Sequence, residues 1–171
     1  LKGGDPFLFG RGGEEMLAAR AAGIACDVVP GVSAALAASA AMGAPLTHRG
    51  LAQSVTLVTG HAAAGGEPDL DWDALARPNQ TVAVYMGLST AGRLAARLLA
   101  AGRDGGTPVA VVENVSRETE TRRVTTLAEM ATAVADLSGP AILIIGETAA
   151  LADVGAAGLG NVPVLATEAA R

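Results

Sequence analysis

The sequence predicts an α/β fold from three observations. Between residues 54 and 145, short runs rich in Val, Ile and Thr alternate with segments of helical periodicity, which is typical of a β-sheet covered by helices. Half of the residues are apolar and only 2% are aromatic, so we expect a core of Ala, Val, Leu and Ile. Two glycine-rich turns lie within the first 13 residues, and glycine lets a ligand approach bare backbone.

The opening segment is interpreted as a ligand-binding loop followed by a helix and a short strand. In the Gly3-Gly4-Asp5-Pro6 turn a carboxylate stands beside bare backbone, and proline restricts the chain that follows. Residues 14–22 are predicted as a helix and residues 25–29 as an apolar strand, in which Cys26 is expected to be a small buried side chain. The inward-facing residues of this helix are predicted to be Met16, Leu17 and Ala21.

A second helix is predicted from Ser33 to about Met42. Serine is a favoured N-cap because its hydroxyl accepts a hydrogen bond from a free N–H of the first turn. The segment is mostly alanine, so its backbone can pack close to a neighbour or to a ligand. Residues 46–53 are interpreted as a connector.

The second part of the chain alternates predicted strands with predicted helices. Strands are predicted at residues 54–58, 81–85, 108–113, 121–125 and 141–145. Helices are predicted at residues 71–76, 90–101 and 127–137. The run at 121–125 is more polar than the others, which indicates an edge strand. Residues 151–171 are interpreted as an Ala/Gly-rich tail in which residues 162–165 could add a strand.

Composition excludes several classes of function. The net charge is −5 and the chain has few aromatic residues, which argues against binding of nucleic acid through a basic surface or a stacking platform. The longest apolar runs are short or rich in alanine, so we expect no membrane span. One cysteine permits neither an intrachain disulfide nor a cysteine-based zinc site, and we expect a cytoplasmic protein with no bound metal.

Six segments occur together in a fixed order: LKGGDPFLFGRGGEE (1–15), VVPGVSAA (28–35), PLTHRGLAQSVTLVTGH (45–61), YMG (85–87), PVAVVEN (108–114) and GPAILIIGE (139–147). In this order and spacing the chain resembles the tetrapyrrole methylase family, and within it the uroporphyrinogen-III C-methyltransferase branch. The stretches after GGDP and after Pro45 are the features most typical of that branch.

The resemblance implies two α/β domains that bind S-adenosylmethionine between them, usually in a homodimer. It implies methylation of uroporphyrinogen III at carbons 2 and 7, which gives precorrin-2 for siroheme and cobalamin synthesis. Residues 1–50 would be the remainder of the N-terminal domain, residues 51–150 the C-terminal domain with a mixed sheet, and residues 151–171 a tail. We expect the chain to begin inside the first domain, so the acid and base residues of the family cannot be assigned within it.

The resemblance also implies site residues. The cofactor contacts carried over by motif position are Gly3, Gly4, Asp5, Leu8, Ser33, Ala34, Met86, Val115 and Ala141. Asp5 could bind a ribose hydroxyl or the methionine ammonium group of the cofactor. The substrate carries carboxylates, and arginine binds these well; the predicted substrate contacts are Arg11, His48 and Arg49.

Several of these assignments have a structural alternative. The Gly3-Gly4-Asp5 segment could be only a tight turn, and Ser33 could serve only as an N-cap. Met86 could be a core residue, and Arg11 could be a solvated charge or pair with Glu14 or Glu15. His61 is interpreted as structural, because no Ser or Cys nucleophile stands at the spacing of a catalytic triad. Arg122 and Arg123 could be charges that protect an edge strand, although they and Arg117 are also candidate cations for the substrate.

Three other functions remain open at this stage. The chain could belong to another branch of the tetrapyrrole methylases, or it could bind the cofactor without turnover. A phosphate-binding loop is the third, but no Gly-Lys-Ser/Thr motif occurs, and Glu15 or Met16 stands where a dinucleotide fingerprint requires its last glycine.

Overall fold

The computed structural model describes residues 2–62 and 67–153. Within these residues the strands are β1 (Ser54–Thr59), β2 (Gln80–Tyr85), β3 (Pro108–Glu113), β4 (Thr121–Thr126) and β5 (Ala141–Ile145). The helices are α1 (Gly12–Ala21), α2 (Ala34–Met42), α3 (Trp72–Leu75), α4 (Ala91–Ala100) and α5 (Met130–Ala133). Short 3-10 turns follow β2 at Leu88–Thr90 and β5 at Glu147–Leu151.

The five strands form one mixed sheet in the order β1-β2-β5-β3-β4. β1 and β2 are parallel, whereas β5 is antiparallel to both β2 and β3, and β4 is antiparallel to β3. The last strand therefore enters the middle of the sheet, where Leu143 is opposite Val84 on one side and Val111 on the other. The predicted α/β fold is confirmed, and so is the edge position of the polar strand β4.

Each face of the sheet has its own core, because successive residues of a strand point to opposite sides. On one face Val82 and Val84 pack with Leu94 and Leu98 of α4. On the other face Ala83 and Tyr85 pack with α2. The buried residues of α2 are Ala35, Ala38 and Met42, and two alanines on this face let the helix backbone lie close to the strands.

A buried charge fixes the end of the sheet at which β2 and β3 begin. The Arg103 side chain is only 3% exposed and forms an ion pair with Glu147, with 3.0 Å between Nη2 and Oε1. Its other donors bond the carbonyl of Arg77 at 2.6 Å and the hydroxyl of Thr107 at 3.2 Å. Because each of these partners lies just before or after a strand, the arginine ties three connections together.

The strand predicted at residues 25–29 is wrong for the described part of the chain, which has no strand there. No other described strand lies beside these residues, so their backbone groups form no ladder and their side chains are exposed. Cys26 is consequently exposed rather than buried. The inward direction predicted for α1 is also wrong at Leu17, which is 63% exposed, and at Ala21.

The helix predicted at residues 127–137 is reduced to the single turn α5. The N–H groups of Leu127 and Ala128 bond to the carbonyls of Thr107 and Gly105, which holds this segment against the turn before β3. The residues predicted as a tail are described only as far as 153, and the possible strand at 162–165 lies outside the described residues. None of the described helices combines the length and the apolar character that a bilayer crossing requires.

Candidate ligand-binding cleft

A cleft of ≈ 930 Å³ opens where β2 and β3 end and β5 begins. The first wall comes from the first glycine loop (residues 3–10) and from the start of α2 with the segment before it. The other walls come from the turn after β2 and from the turns that follow β3 and precede β5. This volume falls within the range of small-molecule sites. Six residues predicted as cofactor contacts line the cleft together: Gly3, Gly4, Ala34, Met86, Val115 and Ala141.

The first wall is built from closely packed backbone. A Cβ atom on Gly31 would lie 2.2 Å from the carbonyl oxygen of Gly4, and one on Gly12 would lie 2.4 Å from that of Pro6. A side chain at Gly31 would therefore force this residue away from Gly4, and a side chain at Gly12 would force the start of α1 away from Pro6. By contrast, a Cβ on Gly3 would meet nothing within 4 Å, so Gly3 presents bare backbone to open space.

Asp5 joins the two loops of this wall. Its Oδ1 accepts hydrogen bonds from the N–H groups of Phe7 and Leu8 at 2.9 and 3.1 Å, and its Oδ2 accepts one from Gly31 at 3.2 Å. The bond from Gly31, followed by that from Phe7, holds the pKa of Asp5 below its usual value. The carboxylate is thus already bonded to three backbone amides, and it does not line the cleft.

The second wall is the sharp turn after β2. Met86 has a φ of 55°, a left-handed conformation that a residue with a side chain adopts at a cost. This turn leaves its side chain 51% exposed and directed to the cleft, so Met86 is not a core residue. The turn also packs tightly against its neighbours, since a Cβ on Gly60 would lie 2.7 Å from Cα of Gly87.

The third wall consists of the turn after β3 and the segment before β5. Asn114 and Ser116 both have positive φ values, of 53° and 64°. Glu113 is buried, and its Oε1 accepts hydrogen bonds from the N–H groups of Ser138 and Gly139 at 2.8 and 2.5 Å. Left-handed residues with side chains are uncommon and concentrate at functional sites, and together with Met86 three of them line this cleft.

Tyr85 connects the second wall with the first, and the sequence reasoning did not assign it a role. Its hydroxyl oxygen accepts a hydrogen bond from the N–H of Ala35 at 3.0 Å and shares another with the hydroxyl of Ser33. Its ring also contacts that of Phe9, with 4.8 Å between the centroids. The available signal was an aromatic residue at the end of a buried strand, immediately before the Met-Gly turn.

The remaining predicted cofactor contacts do not line the cleft. Ser33 is the N-cap residue of α2, but its side chain makes no capping bond to the helix and instead bonds Tyr85. Leu8 packs against the core beneath α2. These two residues and Asp5 support the walls, and their direct contact with a cofactor stays a prediction.

The predicted substrate contacts lie outside the cleft lining as well. Arg11 forms an ion pair with Glu14 at 2.6 Å, as its structural alternative predicted. His48 lies in an exposed turn in which its Nδ1 is 2.8 Å from the carbonyl oxygen of Arg49. Arg122 and Arg123 pair with Glu120 and Asp136. A role of Arg11, His48 and Arg49 in binding substrate stays a prediction.

The charges of the cleft have one sign. Among the described residues that line it, Arg117 and His61 have the side chains that can carry a positive charge, and none is a carboxylate. The chain as a whole is acidic, with a net charge of −5, so this region differs from the average surface. In the part of the chain that the structure describes, no group of three or more His, Cys, Asp or Glu residues could hold a metal ion.

The fold and the cleft define an α/β protein in which a cleft of small-molecule size lies beside glycine backbone at one end of a mixed sheet. Residues 1–131 match the family model of the tetrapyrrole (corrin/porphyrin) methylases. This match covers well over half of the chain, and the protein belongs to the tetrapyrrole methylase family.

The chain is also similar to curated siroheme synthases. It is 51% identical over 147 residues to siroheme synthase 1 of Yersinia pseudotuberculosis, which covers 86% of this chain and 31% of that protein. It is 51% identical over 155 residues to siroheme synthase of Chromobacterium violaceum, which covers 90% of this chain and 33% of the relative. The chain therefore spans about a third of the length of these relatives.

Solved structures give the same assignment. Uroporphyrin-III C-methyltransferase of Thermus thermophilus, complexed with S-adenosylhomocysteine, is 42% identical with a TM-score of 0.75; the match covers 85% of this chain and 60% of that one. A cobalt precorrin-4 methyltransferase is 26% identical with a TM-score of 0.77, over 85% of this chain and 62% of that one. The fold is thus shared with both of these methyltransferases, over about 60% of each solved chain.

Proposed function

We propose that the protein is part of an S-adenosylmethionine-dependent methyltransferase acting on a tetrapyrrole. The proposed reaction is methylation of uroporphyrinogen III at carbons 2 and 7 to give precorrin-2. The observation that carries this proposal is the meeting, in one cleft, of six residues predicted from family motifs far apart in the chain. Similarity to a methyltransferase complexed with S-adenosylhomocysteine supports it.

The residues of the cleft fit an adenosyl sulfonium compound. The open backbone of Gly3 and Gly4 can bond polar groups of the ligand without side-chain crowding. Met86, Ala34 and Ile142 offer an apolar wall, and Asn114 is a polar group at the same site. The sulfonium supplies a methyl group that is already activated for displacement. The tasks left to this chain are therefore to hold the ligand in the reactive orientation and to exclude water.

The charge of the cleft fits a substrate with several carboxylates. Arg117 lines the cleft and forms no ion pair within the described residues, and no lining carboxylate competes with it. A guanidinium binds a carboxylate with two parallel hydrogen bonds. A cleft of one sign also raises the local concentration of an oppositely charged ligand.

A second candidate is methylation of a different ring position by another branch of the family. The cobalt precorrin-4 methyltransferase has a TM-score close to that of the uroporphyrin enzyme, 0.77 against 0.75, so the fold does not separate the two. The identities of 42% and 26% favour the uroporphyrinogen branch. The remaining alternative is that the chain binds the cofactor without turnover.

With the main function we also propose that the protein forms a homodimer and is located in the cytoplasm.

The decisive experiment is calorimetric titration of the protein with S-adenosylhomocysteine, followed by an anaerobic assay with uroporphyrinogen III and mass analysis of the product. Saturable binding and a product heavier by two CH2 units would support the proposal, because each methyl group transferred from the sulfonium is balanced by the loss of one proton from the tetrapyrrole. Binding without product would favour the cofactor-binding alternative, and absence of binding would contradict the proposal. Sedimentation analysis of the same sample would test the dimer.

A further inference from the structure

We propose that Tyr85 is a positioning residue whose hydroxyl fixes the start of α2 relative to the sheet and thereby sets the affinity of the cleft for the adenosyl ligand. The inference rests on the proposed function for the identity of that ligand. Tyr85 is not one of the predicted cofactor or substrate contacts, and the role proposed for it follows from the geometry around its hydroxyl.

The N-terminus of α2 has no capping bond from its own N-cap side chain. The first N–H groups of a helix lack partners within the helix, and the side chain at the N-cap usually supplies one. The Ser33 side chain does not do so. The N–H of Ala35 instead bonds the hydroxyl of Tyr85, a residue 50 positions away in the sheet. The start of this helix is therefore held by another element rather than by its own cap.

Tyr85 is itself held firmly by its neighbours. It ends β2 and is paired in register with Thr59 on one side and Ile142 on the other. It is buried, and its ring contacts Phe9 of the first glycine loop. Because the strands on both sides hold its backbone in place, the hydroxyl of Tyr85 holds the start of α2 at a fixed position relative to the sheet.

Both ends of this connection line the cleft. Ala34 and Ala37 belong to α2 and contribute to one wall, while Tyr85 itself and Met86, which follows it directly, contribute to the other. The Tyr85 hydroxyl is thus a direct hydrogen-bonded link between residues that would hold opposite sides of one ligand. Loss of the link leaves the N–H of Ala35 without its partner and frees the wall to move.

The test compares Tyr85→Phe with a matched control at the other end of the same strand. Thr81 is fully buried, and its hydroxyl lies 3.0 Å from that of Thr148, away from the cleft. Thr81→Val therefore also removes one buried, hydrogen-bonded hydroxyl from β2. In calorimetry, Tyr85→Phe is expected to raise the Kd for S-adenosylhomocysteine at least about fivefold, whereas Thr81→Val leaves it within about twofold of the original. An unchanged Kd in Tyr85→Phe, or equal increases in both variants, would overturn the proposal.

Hydrogen exchange without any ligand separates this inference from the proposed function. The amide of Ala35 is expected to exchange about tenfold faster in Tyr85→Phe, and at the original rate in Thr81→Val, because only the first change removes its acceptor. Unaltered exchange at Ala35 in Tyr85→Phe overturns the positioning role even if the original protein binds no S-adenosylhomocysteine. Absence of binding with the expected exchange pattern would instead contradict the proposed function and leave the positioning of α2 established.

Discussion

The carboxylate of Asp5 accepts a hydrogen bond from the N–H of Gly31, with 3.2 Å between Oδ2 and N. This bond connects the first glycine loop to the segment that leads into α2, and a Cβ at Gly31 would overlap the carbonyl oxygen of Gly4. The wall of the cleft that both motifs form is therefore one unit, although 26 residues separate them in the chain.

Asp5→Asn is expected to weaken binding of S-adenosylhomocysteine about three- to tenfold even though Asp5 does not line the cleft. An amide can keep the bonds from Phe7 and Leu8 through its oxygen, but its NH2 group cannot accept from Gly31. Calorimetric titration beside Asp69→Asn, an exposed carboxylate outside the cleft lining, would measure the effect. Equal affinities of the two variants would contradict the supporting role of Asp5.

Asp5 also makes the cleft sensitive to acid. The bond from Gly31 lowers the pKa of Asp5 in the folded protein. The ionised carboxylate therefore stabilises the folded state fully above the unfolded pKa of about 4. This stabilisation is lost as pH falls through the lower pKa of the folded state. We expect stability to fall on acidification over that interval. The Asp5→Asn variant should lack this component, which thermal unfolding from pH 5 downward would detect.

Gly31→Ala is expected to destabilise the protein by about 1–3 kcal/mol, because the new Cβ would overlap the backbone of Gly4. Gly13→Ala is the matched control, since a Cβ there meets nothing within 4 Å and the residue lies in α1. That variant should be neutral or slightly more stable, because alanine favours the helix. Urea unfolding measures both, and a stable Gly31→Ala protein would show that the two loops are not in close contact.

Glu113→Ala is expected to lower the free energy of unfolding by about 2–3 kcal/mol, because it leaves the N–H groups of Ser138 and Gly139 without their acceptor. Glu113→Gln keeps an oxygen in the same position and should retain most of the stability. Denaturant titration distinguishes the two. If both substitutions cost the same, the charge of Glu113 rather than its hydrogen bonds would be the stabilising feature.

A second acid-sensitive contact lies at the edge strand β4. The guanidinium of Arg123 bonds the carboxylate of Asp136 at 2.6 and 2.8 Å and lowers the pKa of Asp136 to about 2. The ion pair therefore contributes to the free energy of unfolding above the unfolded pKa of about 3.9. This contribution is lost as pH falls toward 2. Stability of Asp136→Asn should vary less over that interval than stability of the exposed control Asp27→Asn. Identical pH profiles would show that the ion pair is not formed in solution.

Arg117→Gln is expected to raise the KM for uroporphyrinogen III about tenfold and to leave the Kd for S-adenosylhomocysteine unchanged, since it removes a cation that faces the cleft. Arg122→Gln is the control, because Arg122 pairs with Glu120 and does not line the cleft. Steady-state kinetics of the two variants would measure KM for uroporphyrinogen III, and calorimetry would measure the Kd for S-adenosylhomocysteine. A larger effect on the Kd of S-adenosylhomocysteine than on KM would assign Arg117 to the cofactor instead.

Much of the fold was predictable because its signals are local. The β-branched runs at residues 81–85, 108–113 and 141–145 correspond closely to strands β2, β3 and β5, and the polar run of β4 indicated its edge position. The predictions at residues 25–29 and Cys26 were wrong because a strand depends on a neighbour that the segment itself does not specify. The six predicted cofactor contacts that line one cleft came from the resemblance to the tetrapyrrole methylases, because that resemblance assigns a role to each motif position.

The sequence by itself determined the fold class, the family and the motifs that build the cleft, because periodicity, turn residues and motif order are properties of neighbouring positions. The tertiary structure decided which of those residues face a ligand. It bonds the carboxylate of Asp5 to three amides, turns the side chain of Met86 into the cleft, and brings Tyr85 to the start of α2. The bonds from Gly31 to Asp5 and from Ala35 to Tyr85 join residues 26 and 50 positions apart, and such contacts arise only when the sheet and its helices have packed.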